Sequence, residues 1–161
     1  MGLKNYLEEG KKFDNIQFFK QLKQKNATMN FMREIEQQEG GSGELENVPF
    51  VVKDAICTEG VTTSAGSRIL EDYEPVFDAT VVQRLKDAGA QFYGKTAQDE
   101  FGFGTFSTNN AFGTPKNPHD KERVVGGSSG GAGAVVATVE QPIISIGEST
   151  GGSITNPAAY N

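Results

Sequence analysis

The feature that most constrains this chain is a glycine-rich stretch with almost no charge, residues 126–152. It holds eight of the 20 glycines in the 161-residue chain, and its only charged side chains are Glu140 and Glu148. Glycine permits positive φ and close approach of one backbone to another. A segment so poor in charge does not resemble a solvated linker. We therefore expect tightly turning backbone packed against a buried site.

Composition and charge exclude several classes of protein. With 36% hydrophobic and 22% charged residues, the chain has the composition of one globular domain. It has no apolar run near the roughly 18 residues that cross a bilayer, and no apolar signal-peptide core at its start. We expect no membrane contact and cytoplasmic residence, with mitochondria as the open alternative. A net charge of −6 argues against a direct grip on nucleic acid.

The chain has a single cysteine, Cys57, and a single histidine, His119. One cysteine cannot form an internal disulfide, and the pair is too few for a Cys/His zinc site, so no metal site is expected. A Ser-His-Asp hydrolase is also disfavoured. We interpret Cys57 as a structural thiol and His119 as a solvated loop residue. The acidic pair Asp99-Glu100 is expected to be solvated or to cap a helix.

The first part of the chain, residues 1–47, is predicted to be a helical segment distinct from an α/β region at 48–161. Its amphipathic helix is indicated by apolar residues at every third position, Phe13, Ile16, Phe19 and Leu22. This helix is expected to be interrupted at Asn26 and followed by a second one over 29–38. The run 40–43 is predicted to be a linker or turn.

Beyond residue 47, apolar runs alternate with helical patterns. Strands are predicted over 48–52, 90–93 and 143–146, and helices over 79–88, with Asp78 as its cap, and 132–139. This alternation predicts a three-layer α/β fold. A further helix should begin at Asn156-Pro157, barely a turn before the last residue. The chain is therefore expected to be the front part of a longer protein, with the fold incomplete at the C-terminus.

Residues 89–96 match the phosphate-loop pattern G-x-x-x-x-G-K-[ST]. That motif binds phosphate only where a strand precedes it and a helix follows. Here a helix is predicted before Gly89, and the middle of the match is itself a strand pattern. Nucleotide binding by this segment is therefore not expected.

Three other features fit one chemistry. Residues 126–131 place two hydroxyls in a frame of glycines, residues 150–153 present a serine after uncovered backbone amides, and Lys53 ends an apolar strand. A serine becomes nucleophilic when a base takes its proton, and a lysine can be that base when burial disfavours its charged form. A second serine can relay the proton, and free amides can stabilise an oxyanion. Together they predict an acyl-transfer site without histidine.

At these residues the chain resembles the amidase signature family, and within it the A subunits of tRNA-dependent amidotransferases. The resemblance is carried by residues 51–54, 126–131 and 149–154. It is extended by residues 78–82, 94–96, 99–102 and 111–113, and it runs from about Val48 to the end. It implies a three-layer α/β/α fold with a mixed sheet.

The resemblance also implies the site. The family's base falls on Lys53, its bridging serine on Ser128 and its nucleophile on Ser153. The implied oxyanion hole consists of the amides of Thr150, Gly151 and Gly152. The spacing from Ser128 to Ser153 is one position longer than usual, which leaves Ser129 as an alternative bridge. The family usually has Asp where this chain has Ser149.

The implied reaction is hydrolysis of glutamine through a glutamyl ester on Ser153. The ammonia would pass to a partner B subunit, which amidates Glu-tRNA(Gln) or Asp-tRNA(Asn), with a small C-type subunit completing the complex. ATP and Mg²⁺ are expected in the partner and no cofactor in this chain, and tRNA is reached only through the B subunit. The residues that bind the α-amino and α-carboxylate groups of glutamine are expected beyond Asn161. The alternatives are a general amidase of small amides and a noncatalytic remnant of the family.

Overall fold

The computed structural model describes residues 3–12 and 14–161, so Phe13 of the predicted first helix lies outside the described residues. The helices are α1 (Leu3–Gly10), α2 (Asn15–Met29), α3 (Thr80–Asp87), α4 (Gly130–Thr138) and α5 (Thr155–Tyr160). The strands are β1 (Met32–Glu34), β2 (Pro49–Lys53), β3 (Gln91–Thr96) and β4 (Ile144–Ile146). Short 3₁₀ turns lie at Arg68–Leu70 and Glu100–Gly102. Among the described residues, no helix has the length and apolarity to cross a membrane.

The four strands form one mixed sheet in the order β1-β3-β2-β4. Strand β2 lies parallel to both β3 and β4, whereas β1 pairs antiparallel with β3. Helix α3 connects β2 to β3, and α4 connects β3 to β4. Helical crossovers of this kind are what parallel neighbours require.

Successive residues of a strand point to opposite faces of the sheet. Different helices bury these two faces. On one face, Phe50 of β2 and Phe92 of β3 pack with Val82 of α3. On the other face, Val51 and Tyr93 pack with residues of α2 and α4, among them Phe18, Leu22, Ala134 and Val135. Helices thus cover both sides of the sheet. The predicted α/β fold with a mixed sheet is confirmed.

The N-terminal segment departs from the prediction. Helix α2 is not interrupted at Asn26 but runs through it to Met29, and the Asn26 side chain accepts the backbone N–H of Met32 at 2.7 Å. The chain leaves the helix at Asn30, where φ is +52°. The predicted second helix over 29–38 is wrong: Met32 pairs with Thr96, which makes this segment the sheet's antiparallel edge.

The buried face of α2 also differs from the predicted one. Phe18, Leu22 and Met29 are buried, while Ile16 is 69% exposed. Positions four and seven apart follow the helical period more closely than a strict spacing of three. The Asp14 carboxylate caps this helix by accepting the N–H groups of Ile16 and Gln17.

The α3–β3 region refines three predictions. Ala79 is the N-terminal cap residue of α3, and Asp78 instead accepts the N–H of Glu59 and pairs with Lys86 at 2.6 Å. Val82 is fully buried but Val81 is 38% exposed. Strand β3 continues three residues beyond its predicted end at Tyr93, which places the last residues of the phosphate-loop match inside a strand.

The division of the chain into a segment 1–47 and an α/β region 48–161 stays a prediction.

Candidate active site

Lys53 is the last residue of β2, and its side chain is completely buried. Its Nζ donates a hydrogen bond to Ser128 Oγ at 2.7 Å, across 75 residues of chain. The apolar strand that carries Lys53 lies in the middle of the sheet, between β3 and β4, which fixes where the amine points. The predicted base and the predicted bridging serine therefore lie in direct contact.

Ser128 is held in a tight loop before α4. The Gly127-Ser128 peptide is cis. Behind it lies Asp99, which is 1% exposed and accepts the N–H groups of Ser107 and Asn109 at 2.9 and 3.0 Å. Asp99 also donates its own N–H to the carbonyl oxygen of Ser128 at 3.1 Å. The expectation that Asp99 is solvated is wrong. Asp99 does occupy the N-terminal cap position of the 3₁₀ turn Glu100–Gly102, but its side chain makes no capping hydrogen bond. Its carboxylate instead binds amides of the loop 107–109, and its backbone N–H binds the loop that carries Ser128.

Ser129, the alternative bridge, makes different contacts. Its side chain donates to the carbonyl oxygen of Glu148 at 3.4 Å, and its backbone N–H donates to the carbonyl oxygen of Ser153 at 3.1 Å. Lys53 contacts Ser128 and not Ser129 among the side-chain hydrogen bonds of the described residues. The geometry therefore favours Ser128 for the bridging role, which stays a prediction.

Ser153 lies half-buried at a cleft of about 500 Å³. The cleft walls include Gly127, Glu148 and the loop from Thr150 to Ser153. Two aromatic side chains, Phe101 and Phe103, also line the cleft, and Phe103 is 81% exposed. A small acyl compound entering this cleft would meet the Ser153 hydroxyl beside a row of glycine backbone.

Of the three amides predicted to form an oxyanion hole, one is already engaged. Gly152 donates its N–H to Ser149 Oγ at 3.2 Å, while the Thr150 and Gly151 amides have no acceptor among the described residues. Ser149 thus acts as an acceptor within the loop. The Gly151 backbone is uncrowded, since a Cβ added there would have no neighbour within 4 Å.

One site residue was missed by sequence reasoning. Glu148, in the loop after β4, forms an ion pair with Lys53, so the amine has a carboxylate partner as well as a hydroxyl one. The Glu148 side chain is 50% exposed and lines the cleft. The available signal was its place as one of only two charges in the glycine-rich stretch.

A second buried charge cluster lies next to the site. Asp54 accepts the N–H groups of Ser64 and Gly66 at 3.2 Å each, and burial raises its pKa above the ordinary value despite these bonds. Lys95 donates to Thr63 Oγ1 at 2.8 Å and to the carbonyl oxygen of Ile56, and burial lowers its pKa to about 8. These contacts hold the segment after β2 against β3.

The remaining candidates lie apart from this site. His119 is exposed in the loop before α4, as expected, and its ring contacts the carbonyl oxygen of Asn161. Cys57 is a half-buried free thiol. Neither residue lines the cleft at Ser153.

Comparison with known proteins gives a consistent result. The family described as Amidase matches residues 14–161. The A subunit of glutamyl-tRNA(Gln) amidotransferase from Archaeoglobus fulgidus is 49% identical over 118 residues, which is 73% of this chain and 26% of that protein. The chain thus spans about a quarter of the length of this curated relative.

Solved structures agree with the sequence match. The crystal structure of the A subunit of glutamyl-tRNA(Gln) amidotransferase from Thermotoga maritima has a TM-score of 0.74 and 36% identity, covering 81% of this chain and 31% of that one. A crystal structure described as an amidase has a TM-score of 0.82 and 29% identity, covering 98% of this chain and 40% of that one. Both similarities extend over most of the present fold.

Proposed function

Since the chain belongs to the amidase family, we propose that it carries the acyl-transfer site of the glutaminase subunit of a tRNA-dependent amidotransferase. The observation that carries the proposal is the 2.7 Å hydrogen bond between Lys53 Nζ and Ser128 Oγ beneath the Ser153 loop. A buried amine beside a hydroxyl is the arrangement that serine activation without histidine requires.

In this mechanism Ser153 is the nucleophile. Its Oγ forms a bond to the carboxamide carbon of glutamine while its proton passes to Ser128 Oγ, whose own proton passes to the neutral amine of Lys53. The oxyanion accepts hydrogen bonds from the Thr150 and Gly151 amides, and from Gly152 if its N–H turns away from Ser149. The C–N bond then breaks, ammonia leaves with a returned proton, and water hydrolyses the ester by the same proton path.

The released ammonia would serve a partner. The relatives are named as A subunits of an amidotransferase, and this supports a complex in which amidation of Glu-tRNA(Gln) or Asp-tRNA(Asn) takes place on a B subunit. A small C-type subunit would complete it. We assign ATP and Mg²⁺ to the partner and no cofactor to this chain. Its net charge of −6 favours tRNA contact through the B subunit.

An activated ester tests the proposal on the purified chain, because it requires no binding of an α-amino or α-carboxylate group. p-Nitrophenyl acetate should acetylate Ser153 with release of p-nitrophenolate. The reaction should be lost in Ser153→Ala and kept in Ser42→Ala, which removes an exposed serine outside the lining of the cleft. Equal rates in Ser153→Ala, or no acetylation of the native chain, would overturn the assigned nucleophile.

A general amidase of small amides is the second candidate, and the similarity to a solved amidase over 98% of the chain favours it. Hydroxamate formation from propionamide or benzamide with hydroxylamine, lost in Ser153→Ala, would select this function. A folded chain that leaves Ser153 unacetylated would instead indicate a noncatalytic remnant of the family.

A further inference from the structure

Glu148 is the one carboxylate in contact with Lys53 among the described residues. The buried amine has two side-chain partners, Ser128 and Glu148. Ser128 is fully buried, whereas the Glu148 side chain is 50% exposed in the cleft. The buried Lys53 amine is therefore connected to the open cleft through its contact with Glu148.

The other charged groups of the surrounding elements are engaged elsewhere. Asp54, next to Lys53 on the chain, accepts the amides of Ser64 and Gly66. Asp99, behind the Ser128 loop, accepts two loop amides. Lys95 on the neighbouring strand donates to the segment after β2. Glu148 is thus the group whose charge acts on Lys53 by direct contact.

A carboxylate in contact with an amine stabilises the ammonium form. An ammonium can donate to Ser128, but it cannot take the proton that acyl transfer must remove from the serines. We propose that Glu148 is a positioning residue that aims Lys53 at Ser128 and whose charge opposes the proton loss that activation requires. Glu148 thereby sets the pH at which Ser153 becomes nucleophilic. This inference rests on the proposed function.

The protons balance over one acylation. Lys53 first loses a proton to water along the half-exposed Glu148 carboxylate. When Ser153 attacks an ester, the O–C bond forms, the alcohol leaves as its anion, and one proton moves through Ser128 to Lys53. The product state again contains an ammonium paired with Glu148. The ion pair therefore opposes activation before the step and stabilises the charge formed in it.

The test is the pH profile of Ser153 acetylation by p-nitrophenyl acetate. Glu148→Gln keeps an oxygen acceptor and removes only the charge, so the pH of half-maximal rate should fall by about one unit. The maximal rate should fall severalfold, because the ammonium formed is no longer paired. Glu140→Gln is the matched control: it removes an exposed carboxylate of the same stretch and should leave the midpoint in place.

A Glu148→Gln profile that is lowered at every pH with an unmoved midpoint would overturn the inference, since it would indicate a structural role alone. If Glu148→Gln does not fold, Glu148→Ala should show the same downward shift in midpoint, and an unmoved midpoint there would overturn it equally. Failure of the native chain to acetylate Ser153 would overturn the proposed function together with this inference. Acetylation with an unmoved midpoint would overturn this inference only.

Discussion

Ser129 donates its backbone N–H to the carbonyl oxygen of Ser153 at 3.1 Å, and this bond joins the two glycine-rich loops of the site directly. Ser129 is the N-terminal cap residue of α4, and Ser153 lies two residues before α5, so the bond also fixes one helix start against the other. Because this bond uses backbone groups alone, it leaves the Ser153 hydroxyl available for chemistry.

Gly127→Ala should disturb the packing of the Ser128 loop against Asp99. A Cβ at Gly127 would lie 2.3 Å from Asp99 Oδ2 and 2.8 Å from the backbone nitrogen of Ser107. Since Asp99 is held by loop amides, the overpacking should cost about 1–3 kcal/mol of unfolding free energy and displace Ser128. Urea unfolding and acetylation of Ser153 measure the two effects. Gly41→Ala is the control, because its added Cβ would have 3.8 Å to the nearest atom; equal stability of the two variants would contradict the packing argument.

The sequence predicts the parts of this fold that local pattern determines. The apolar run of β2 and the small-residue helix α4 are each visible in a few neighbouring residues, and they lead to Lys53 and Ser128. The edge strand β1 cannot be predicted in this way, because three residues are too few to show an alternating hydrophobic pattern. They form a strand because they pair with β3, Met32 with Thr96.

The candidate site shows the same limit. The contact of Lys53 with Glu148 joins residues 95 positions apart, and no local sequence pattern predicts such a contact. The engagement of the Gly152 amide by Ser149 depends on the turn that the loop adopts. The motifs therefore indicate which residue types to expect at the site, and they do not indicate how its charges and amides are partnered.

Lys53→Arg should abolish acyl transfer although the positive charge is kept. A guanidinium does not give up a proton in proteins, so it cannot act as the neutral base. Loss of a general base lowers the rate by about 10²–10⁴-fold, and acetylation of Ser153 should fall by that factor. The control is Lys121→Arg at an exposed position. Acetylation within about threefold of the native rate in a folded Lys53→Arg variant, checked by circular dichroism, would remove the base role.

Ser128→Ala and Ser129→Ala distinguish the two possible bridging serines. Ser128 accepts the hydrogen bond of Lys53, so its loss breaks the proton path and should slow acetylation of Ser153 by about 100-fold. Ser129 contributes its backbone N–H, which alanine keeps, and its side chain makes one long bond of 3.4 Å. Its substitution should therefore cost less than about 10-fold. The opposite ranking would assign the bridge to Ser129.

Lys95→Met should change how stability depends on pH. Burial lowers the pKa of folded Lys95 to about 8 from an ordinary value of 10.5. Between these two values the unfolded chain binds more protons than the folded one, so the Lys95 contribution to unfolding free energy increases as pH rises from 8 to 10.5 and is least favourable below 8. The difference between native and Lys95→Met unfolding free energies should rise by about 3 kcal/mol across this window, since one pH unit corresponds to about 1.4 kcal/mol.

Urea titrations at several pH values across that window measure the slope. The raised pKa of buried Tyr93 lowers stability at the alkaline end, but it does so in both variants and cancels in the difference. Lys121→Met is the control at an exposed lysine and should give a difference that does not vary with pH across the same window. A flat difference for Lys95→Met as well would mean that the Lys95 amine keeps its proton in the folded chain, held by Thr63 and the carbonyl of Ile56.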